Sequence, residues 1–513
     1  MSRKTEKKPT FKRLIYGRAL LVIAALLLQI GLLFSMWLSI LEKIPLVTGS
    51  VAVLTAVMLI IVLNTLDNPS IKLSWCVLIA IAPLFGTVVY LFFKLDIGHR
   101  ALRKLMHRSE KSSRRYALYS TQSMDKLKQE DPQMFALARY LQDNGACVCA
   151  NAQTRYFPLG EDMFAAMLSE LEKAEKFIFL EYFSIAPGQM WDQILGVLQR
   201  KAAQGVEVRV LYDGGCSISY LPHNYPEKLA SMGIQCKVFS PFRMFVSTHY
   251  NNRDHRKIMI IDGHTAFTGG INLLDRYINQ EQVFGHWKDT GVMICGEGAV
   301  EFTRIFLQMW NYREKDPVYT PYLLPVSQQN TEGYVIPFGD GPHSNQRLGK
   351  MVYLNILNQA KDYVYIMTPY LILDNEMLTA LTFAAARGVD VRLILPHIPD
   401  KKYAFLLAQS HYLDLLSAGV KIYEYTPGFV HAKVFLCDDL HAVVGTINLD
   451  YRSLYLHYEC AAYLYGGTAI DEIKEDFCKT FESSQQITLE TARKRGVFSR
   501  LAAAILKIAA PLM

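Results

Sequence analysis

The sequence predicts an α/β protein in which two duplicated lobes, each a mixed sheet flanked by helices, form one catalytic unit after N-terminal transmembrane helices. Three observations predict this class. A strand–helix–glycine–strand pattern occurs twice, a His-x-Lys motif follows each copy, and three long apolar stretches precede both copies. Strands that alternate with helices favour parallel pairing, and two widely separated copies favour two lobes.

The composition excludes a disordered chain and gives no support to a nucleic-acid-binding one. Of the 513 residues, 51% are hydrophobic and 20% are charged, which is more apolar than disordered chains are. The 54 basic and 47 acidic residues leave a net charge of only +7, without a concentrated basic stripe. The nine cysteines are scattered and form no C-x-x-C pair, so neither a disulfide framework nor structural zinc is expected.

Three uncharged apolar stretches open the chain, at 19–41, 44–66 and 73–93. Each reaches the length of about 20 residues that a helix needs to cross the hydrocarbon core of a bilayer. The sequence therefore predicts a multi-pass membrane protein. Basic residues flank both ends of this region, so two and three spans both remain open. The positive-inside rule favours catalytic lobes on the cytoplasmic side.

The predicted organisation has six segments. A basic, cytoplasmic N-terminus precedes the transmembrane region, and a basic juxtamembrane linker separates that region from the first and second lobes. An amphipathic segment, suited either to a membrane surface or to docking on a lobe, follows the second lobe. The segments are 1–18, 19–93, 94–139, 140–330, 331–485 and 486–513.

The two lobes share one pattern of elements. In the first, an apolar strand from Phe177 leads to a helix that ends at Gly205, and an alternating strand follows. In the second, a strand from Tyr363 leads to a helix that ends at Gly388, again before an alternating strand. Glycine is preferred after a helix because it adopts the left-handed conformation without strain. The repetition predicts β-helix-β crossovers with parallel strands in both lobes.

Each lobe then carries the same motif at the same spacing. The motif is His-x-Lys, four residues, Asp, six residues, and then Gly-[Gly/Thr]-x-Asn. It comprises His255, Lys257, Asp262 and Asn272 in the first lobe and His431, Lys433, Asp438 and Asn448 in the second. Two complete copies in a duplicated lobe are very improbable by chance, so we interpret them as the active site.

Strand geometry divides the motif residues into two groups. Apolar residues follow each lysine, which predicts a β-strand, where side chains two positions apart point to the same face. The histidine and lysine of each copy therefore share a face. The aspartate is seven residues from the histidine, an odd offset, so we expect Asp262 and Asp438 to support the fold. A glycine-marked turn allows Asn272 and Asn448 to return to the face of the histidine and lysine.

Histidine, lysine and asparagine together suit a phosphate group. Lysine supplies a positive charge, asparagine supplies amide donors, and histidine can attack phosphorus or transfer a proton. Two copies provide two histidines, so one can act as the nucleophile and the other as the acid. Such donors can neutralise a phosphoryl group by themselves, so we expect neither a metal nor another cofactor.

The duplicated motif resembles that of the phospholipase D superfamily, and nearly the whole chain is similar to the bacterial cardiolipin synthases. Segments 252–257, 285–290 and 445–453 support the resemblance. It implies transfer of a phosphatidyl group from one phosphatidylglycerol to another, through a phosphatidyl-histidine, with cardiolipin and glycerol as products. The implied partners are phosphatidylglycerol and anionic membrane lipid, and no nucleic acid.

The resemblance also implies a role for each site residue. His255 is the nucleophile, and His431 protonates the leaving glycerol and then deprotonates the incoming alcohol. The phosphoryl oxygens are held by Lys257, Asn272, Lys433 and Asn448. A carboxylate downstream of each histidine, Asp289 in the first lobe and Glu459 in the second, accepts a hydrogen bond from the far imidazole nitrogen.

One position in each motif departs from the common superfamily pattern, which has serine after the glycine of the motif tail. Here Gly270 and Thr446 occupy these positions. Thr446 keeps a hydroxyl donor and Gly270 does not. Glycine in the first copy is typical of sequences similar to cardiolipin synthases, so the departure favours that group.

Two other functions remain open at this point. A phospholipase D-type hydrolase would use the same intermediate, but water would replace the lipid alcohol and release phosphatidic acid. A non-catalytic lipid-binding protein is disfavoured because both copies of the motif are intact. The residues leave open the acceptor, which is phosphatidylglycerol, phosphatidylethanolamine or another alcohol, and they leave open the oligomeric state.

Overall fold

A computed structural model describes residues 31, 45–95, 97–150, 152–241, 251–324, 333–344 and 346–512. The chain divides into two compact units, one that ends at Leu95 and one that extends from residue 96 to Pro511. The predicted basic N-terminus, 1–18, lies outside the described residues. So does the first predicted span, 19–41, apart from Gly31.

The described part of the N-terminal unit contains the helices α1 (Pro45–Leu63), α2 (Pro69–Ile81) and α3 (Pro83–Leu95). Asn68 caps α2, since its side chain accepts a hydrogen bond from the Ser70 backbone N–H at 2.9 Å. The ring of Trp75 packs against that of Tyr90, with centroids 5.3 Å apart. This aromatic contact joins α2 to α3.

The prediction of N-terminal transmembrane helices is wrong. No helix in the described part of the chain combines the length and the apolar character needed to cross a membrane. The third predicted span, 73–93, is divided between α2 and α3, because Pro83 cannot donate the hydrogen bond that would continue α2. Each has 13 residues and is about 20 Å long, against about 30 Å of hydrocarbon. The 19 residues of α1, which replaces the span 44–66, reach about 28 Å.

The first lobe is built on a mixed sheet. Its strands are β1 (Ala152–Phe157), β2 (Phe177–Tyr182), β3 (Glu207–Asp213), β4 (Gln235–Phe239), β5 (Lys257–Ile261), β6 (Thr265–Gly269), β7 (His286–Lys288) and β8 (Gly291–Gly296). Seven of them form a sheet of order β1-β8-β6-β5-β2-β3-β4. Within this sheet β2, β3 and β4 are parallel, and the other neighbouring strands pair antiparallel. The motif strand β5 lies beside the parallel part and is antiparallel to both of its neighbours.

The second lobe repeats this arrangement. Its strands are β9 (Tyr334–Asp340), β10 (Tyr363–Met367), β11 (Asp390–Pro396), β12 (Lys421–Tyr425), β13 (Gly428–Val430), β14 (Val434–Cys437), β15 (His441–Gly445), β16 (Glu459–Tyr465) and β17 (Ser484–Ile487). Their sheet has the order β17-β12-β11-β10-β14-β15-β16-β9, in which β10, β11 and β12 are parallel. The predicted pair of mixed-sheet lobes fits this topology.

Helices cover both sheets and make the predicted crossovers. The helices of this unit are α4 (Ile97–Ser113), α5 (Thr121–Glu130), α6 (Pro132–Asp143), α7 (Gly160–Leu171), α8 (Gln189–Ala203), α9 (Cys216–Ser219), α10 (Tyr225–Ala230), α11 (Glu297–Trp310), α12 (Leu348–Gln359), α13 (Asn375–Ala386), α14 (Lys402–Ser410), α15 (Tyr412–Ser417), α16 (Thr468–Glu482), α17 (Leu489–Arg493) and α18 (Val497–Ala509). The crossover helices α8 and α13 are followed by Gly205 and Gly388, with φ of 91° and 94°. These left-handed conformations end both helices at low cost.

The two sheets share one hydrophobic core. Ile258 and Ile260 of β5 belong to the same buried cluster as Val434 of β14. The helix α4, which lies in the predicted linker segment, contributes Leu102 to this cluster. Outside the sheets, β7 pairs in parallel with β13 and adds a second connection between the lobes. The two lobes therefore pack as one unit.

A turn of the same construction follows the motif strand of each lobe. Asp262 has a φ of 53°, and its carboxylate accepts hydrogen bonds from the backbone N–H groups of 175–177, at 2.8, 2.7 and 2.7 Å. Asp438 has a φ of 51°, and its carboxylate accepts from the N–H groups of 361–363, at 2.7, 3.0 and 2.7 Å. Each carboxylate therefore fixes the start of a parallel strand beside the motif strand.

We expect Asp438→Ala to lower the free energy of unfolding by about 2–4 kcal/mol, because three backbone N–H groups lose a charged acceptor. Chemical denaturation of the purified protein measures this change. The matched control is Asp414→Ala, which removes an exposed aspartate from the same lobe and should have little effect. Equal stability of the two variants would contradict a structural role for the Asp438 carboxylate.

Candidate active site

Each motif histidine is paired with a carboxylate from the other lobe. Nδ1 of His255 lies 2.9 Å from Oε2 of Glu459, and Nδ1 of His431 lies 2.6 Å from Oδ2 of Asp289. All four side chains are buried. The resemblance to the phospholipase D superfamily implies the other pairing, of each histidine with the carboxylate downstream in its own lobe. The structure differs because backbone segments of the two lobes meet beside each histidine.

Backbone hydrogen bonds between the lobes bring each histidine next to the carboxylate of the other lobe. The N–H of His255 donates to the carbonyl oxygen of Tyr458 at 2.9 Å, and the N–H of Tyr458 donates to the carbonyl oxygen of Arg253 at 2.8 Å. In the other half, the N–H of His431 donates to the carbonyl oxygen of Lys288 at 2.7 Å. In both halves, the residue just before the carboxylate holds the histidine of the opposite lobe. The site is therefore complete only when both lobes are in place.

The two motif lysines fold back onto their own histidines. Nζ of Lys257 donates to the carbonyl oxygen of His255 at 2.5 Å. Nζ of Lys433 donates to the carbonyl oxygen of His431 and lies 2.8 Å from its Nδ1. Both lysines are almost fully buried, at 1% exposure. Each ammonium group is thus held against the backbone of its own histidine, and that of Lys433 also lies beside the imidazole.

The two motif asparagines are engaged with loops that border the site. The side-chain oxygen of Asn272 accepts from the Ser184 N–H at 3.0 Å, and its amide nitrogen donates to the Tyr277 hydroxyl at 2.8 Å. The amide nitrogen of Asn448 donates to the Ser453 hydroxyl at 3.1 Å. An amide nitrogen has two hydrogens, so each asparagine keeps a second donor for a phosphoryl oxygen.

Burial dominates the protonation state of both histidines. It lowers the pKa of His255 well below its ordinary value, and the charges on Lys257 and Lys433 lower it further. Burial also lowers the pKa of His431 to about 4, followed by the charge on Lys433, although Asp289 opposes the change. Both imidazoles are therefore neutral at pH 7. Only the neutral form has a ring nitrogen that can attack phosphorus or accept a proton.

The two carboxylates differ in their electrostatic surroundings. Burial raises the pKa of Glu459 to about 7, against the opposing charge on Lys257. Burial acts to raise the pKa of Asp289 too, but the interaction with His431 and the charge on Lys433 outweigh it, so that this pKa is lowered. Asp289 is therefore ionised at neutral pH, whereas Glu459 is near its midpoint. Of the two histidines, His431 has the partner better able to stabilise an imidazolium.

The lysines respond to the same burial. It lowers the pKa of Lys257 to about 8 and that of Lys433 to about 7. A bound anion would raise both values, because a nearby opposite charge favours the ammonium form. The positive charge of the site therefore increases when a phosphate binds.

The structure explains the difference between Gly270 and Thr446. A Cβ atom at position 270 would lie 2.0 Å from Oδ1 of Asp289, so the carboxylate occupies the space of a side chain. In the other half, the Thr446 hydroxyl donates to Oε2 of Glu459. The first lobe thus uses glycine to admit Asp289, and the second uses threonine to orient Glu459.

A third histidine, His457, borders the site and was missed by sequence reasoning. Its ring centroid lies 5.5 Å from that of His255, and its Nδ1 lies 3.8 Å from Oε1 of Glu459. Neither ring nitrogen has a hydrogen-bond partner among the described residues. The residue lies outside the repeated motif, and its position two residues before Glu459 is the only signal in the sequence.

One group of side chains in the described part of the chain has the spacing of metal ligands. The donor atoms of His255, His457 and Glu459 all lie within 4.8 Å of one another. The positive charges that lower the pKa of His255, on Lys257 and Lys433, would repel a divalent cation at this place.

Two lobes that each contribute a histidine and a lysine to one buried, cationic site define an enzyme of the phospholipase D class. The family model described as cardiolipin synthase, PLD-like domain, matches residues 167–310 and 353–481. A second model, phospholipase D-nuclease N-terminal, matches residues 53–94. The chain belongs to the cardiolipin synthase family, and the predicted phosphatidyltransferase is confirmed.

Relatives match most of the chain. A cardiolipin synthase of Geobacillus kaustophilus is 34% identical over 470 residues, which is 90% of this chain and 93% of its own. Cardiolipin synthase 2 of Bacillus anthracis is 34% identical over 453 residues, 87% of either chain. An uncharacterized protein of Streptococcus mutans is 50% identical over 89% of this chain and 99% of its own.

A solved structure is similar in fold. The phosphatidylserine synthase of Haemophilus influenzae matches with a TM-score of 0.57 and 14% identity. The match covers 74% of this chain and 98% of the other. At this identity the likeness concerns the fold alone.

Proposed function

We propose that this enzyme joins two phosphatidylglycerol molecules into cardiolipin and releases glycerol, by way of a phosphatidyl-histidine. The observation that carries the proposal is the pair of buried, neutral histidines, each bonded to a carboxylate from the other lobe. Covalent transfer through one histidine with proton transfer by the other needs this arrangement. Relatives named cardiolipin synthase that match about nine-tenths of the chain support the choice of substrate.

His255 is the proposed nucleophile. Glu459 accepts a hydrogen bond from Nδ1–H of His255, which leaves the lone pair of Nε2 directed away from the carboxylate. The depressed pKa of His255 keeps this lone pair unprotonated at neutral pH. Phe183, with its ring centroid 5.2 Å from that of His255, packs at the edge of the imidazole and restricts its rotation.

His431 is the proposed acid and base. In the first step, Nε2 of His255 bonds to phosphorus while the bond from phosphorus to the glycerol oxygen breaks, and His431 gives its proton to that oxygen. Because His431 is neutral in the empty site, it must be protonated when substrate is bound. The anionic phosphodiester raises its pKa in the complex, and ionised Asp289 stabilises the imidazolium.

The second step returns the enzyme to its starting state. Glycerol leaves, and the terminal hydroxyl of a second phosphatidylglycerol takes its place. His431 removes the hydroxyl proton, the oxygen bonds to phosphorus, and the bond between phosphorus and His255 breaks. Lys257 and Lys433 hold the charged phosphoryl oxygens through both steps. The cycle consumes no nucleotide, because the energy of one phosphodiester passes to the next.

The enclosure of the site supports transfer to an alcohol over hydrolysis. His255 is 8% and His431 7% exposed. Aromatic rings border both. Between ring centroids, Phe183 lies 5.2 Å from His255, and Tyr277 lies 5.3 Å and Trp287 5.4 Å from His431. Apolar walls limit the water that can compete with a lipid hydroxyl for the intermediate.

Product analysis tests the proposal. The purified full chain is incubated with vesicles that contain phosphatidylglycerol, with excess chelator and without nucleotide. From the wild type we expect cardiolipin and glycerol in equal amounts. The control His223→Ala, which removes an exposed histidine, should form both products as the wild type does, and His255→Ala should form neither. Phosphatidic acid without cardiolipin would instead assign a phospholipase D-type hydrolase. Cardiolipin that appears only when phosphatidylethanolamine is added would change the assigned lipid pair.

A further inference from the structure

The C-terminal helix α18 presents large apolar side chains to its surroundings. Val497, Phe498, Leu501 and Ile505 are between 58% and 89% exposed. Their spacing of three to four residues along the helix, with Val497 beside Phe498, places them on one face. Folded proteins seldom leave such a continuous apolar stripe in contact with water. The stripe therefore calls for an occupant.

The opposite side of α18 is docked on the second lobe. Ala503 is buried, and α18 packs against α14. The apolar stripe is thus held outward by a fixed contact with the lobe.

The charged residues around the stripe are mostly basic, and the one acidic residue close before the helix, Glu490, is paired with Lys494 at 2.8 Å. Five basic residues lie in and just before the helix, and the sequence contains no acidic residue after Glu490. Arg500 and Lys507 are both exposed. The basic residues are Arg493, Lys494, Arg495, Arg500 and Lys507. An apolar face bordered by basic groups matches an anionic lipid surface, with acyl chains below and phosphate groups above.

The position of α14 relates this surface to the catalytic residues. Phe405 of α14, together with Tyr370, Lys401 and Phe429, lines a cleft. The ring centroid of Phe429 lies 5.9 Å from that of His431. The helix α14 therefore has α18 on one side and the cleft toward His431 on another.

We propose that α18 is an interfacial helix that seats the second lobe on the surface of an anionic phospholipid membrane. Its apolar stripe enters the region between headgroups and acyl chains, and its basic residues contact lipid phosphates. Binding of α18 to the membrane places the cleft beside the lipid that supplies the substrate. Only this placement beside the substrate rests on the proposed function. The helix lies in the surface plane and does not cross the bilayer.

A fluorophore placed on the stripe tests the proposal locally. Phe498→Cys is made together with Cys478→Ser, because Cys478 is the exposed native cysteine of the described residues, and is labelled with an environment-sensitive NBD group. The wild type labelled at Cys478 on α16 is the matched control. With vesicles of phosphatidylglycerol and phosphatidylcholine, we expect a blue shift and quenching by brominated acyl chains at 498 and neither at 478. The response should be much weaker with phosphatidylcholine alone.

The basic residues are tested in the same assay. Arg500→Gln with Lys507→Gln should raise the lipid concentration for half-maximal response at 498 by roughly 10- to 30-fold. An unchanged spectrum at 498 on vesicles that the enzyme still converts would overturn the proposal, and would indicate that another protein segment covers the stripe.

Turnover separates this proposal from the proposed function. Phe498→Ser with Leu501→Ser should slow conversion of vesicle lipid while leaving conversion of monomeric short-chain phosphatidylglycerol unchanged. Equal conversion of vesicle lipid by this variant and the wild type would count against membrane binding by α18. A blue shift of the fluorophore at 498, without any cardiolipin from vesicle or short-chain lipid, would support membrane binding by α18 and reject the proposed reaction.

Discussion

In the His431→Ala variant, we expect phosphatidyl-nitrophenol to release one equivalent of nitrophenol per enzyme, after which turnover stops. Nitrophenol leaves without a proton, so the first step does not need His431 as an acid. His255 is intact and becomes phosphatidylated. The second step fails because no base removes the proton of the incoming alcohol. Stopped-flow absorbance measures the burst, and mass spectrometry locates the phosphatidyl group.

The complementary variant provides the control. His255→Ala should give no burst, because it lacks the atom that attacks phosphorus. With phosphatidylglycerol as the substrate, both variants should lose more than about 10⁴-fold in the rate of cardiolipin formation, since each removes a group used in both steps. A burst from His255→Ala and none from His431→Ala would exchange the two assigned roles.

Glu459→Gln is expected to slow the nitrophenol burst by about 10²- to 10⁴-fold, although Glu459 belongs to the second lobe. Its carboxylate is bonded to His255, and an amide neither fixes the tautomer as firmly nor balances the charge that develops on the ring. Asp289→Asn should leave the burst nearly unchanged and slow turnover of phosphatidylglycerol by a similar factor. Its carboxylate serves His431, which the nitrophenol substrate does not need in the first step.

This pair of variants distinguishes the crossed arrangement from pairing within each lobe. If Asp289 oriented His255, then Asp289→Asn would slow the burst and Glu459→Gln would spare it. A purely structural role for either carboxylate would lower both rates together. Thermal unfolding of the two variants shows whether the fold is intact.

The two lobes and the motif residues could be predicted from the sequence, because the repeat is visible in it and spacing along a strand is a local property. The pairing of each histidine with the carboxylate of the other lobe could not be predicted. It depends on contacts such as that between His255 and Tyr458, which are about 200 residues apart and form only when the lobes pack. His457 was not predicted as a site residue for the same reason, since it reaches the site only when the second lobe packs against the first.

The N-terminal region shows where hydropathy misleads. The stretch 73–93 is uncharged and mostly apolar, but hydropathy does not register that Pro83 interrupts the backbone hydrogen bonds of a helix. The two aspartates of the motif illustrate another limit. An odd offset along a strand separates Asp262 from His255, but it does not reveal the left-handed turn in which the carboxylate collects three N–H groups.

The contrast between Gly270 beside Asp289 and Thr446 beside Glu459 has a consequence for how such a site can arise. Two identical subunits related by a two-fold axis would present two identical half-sites. Either histidine could then act as the nucleophile, with the other as the acid, in each catalytic cycle. Fusion of the two copies into one polypeptide removes that constraint. Each half can then acquire its own substitutions, and inheritance rather than chance determines which imidazole attacks.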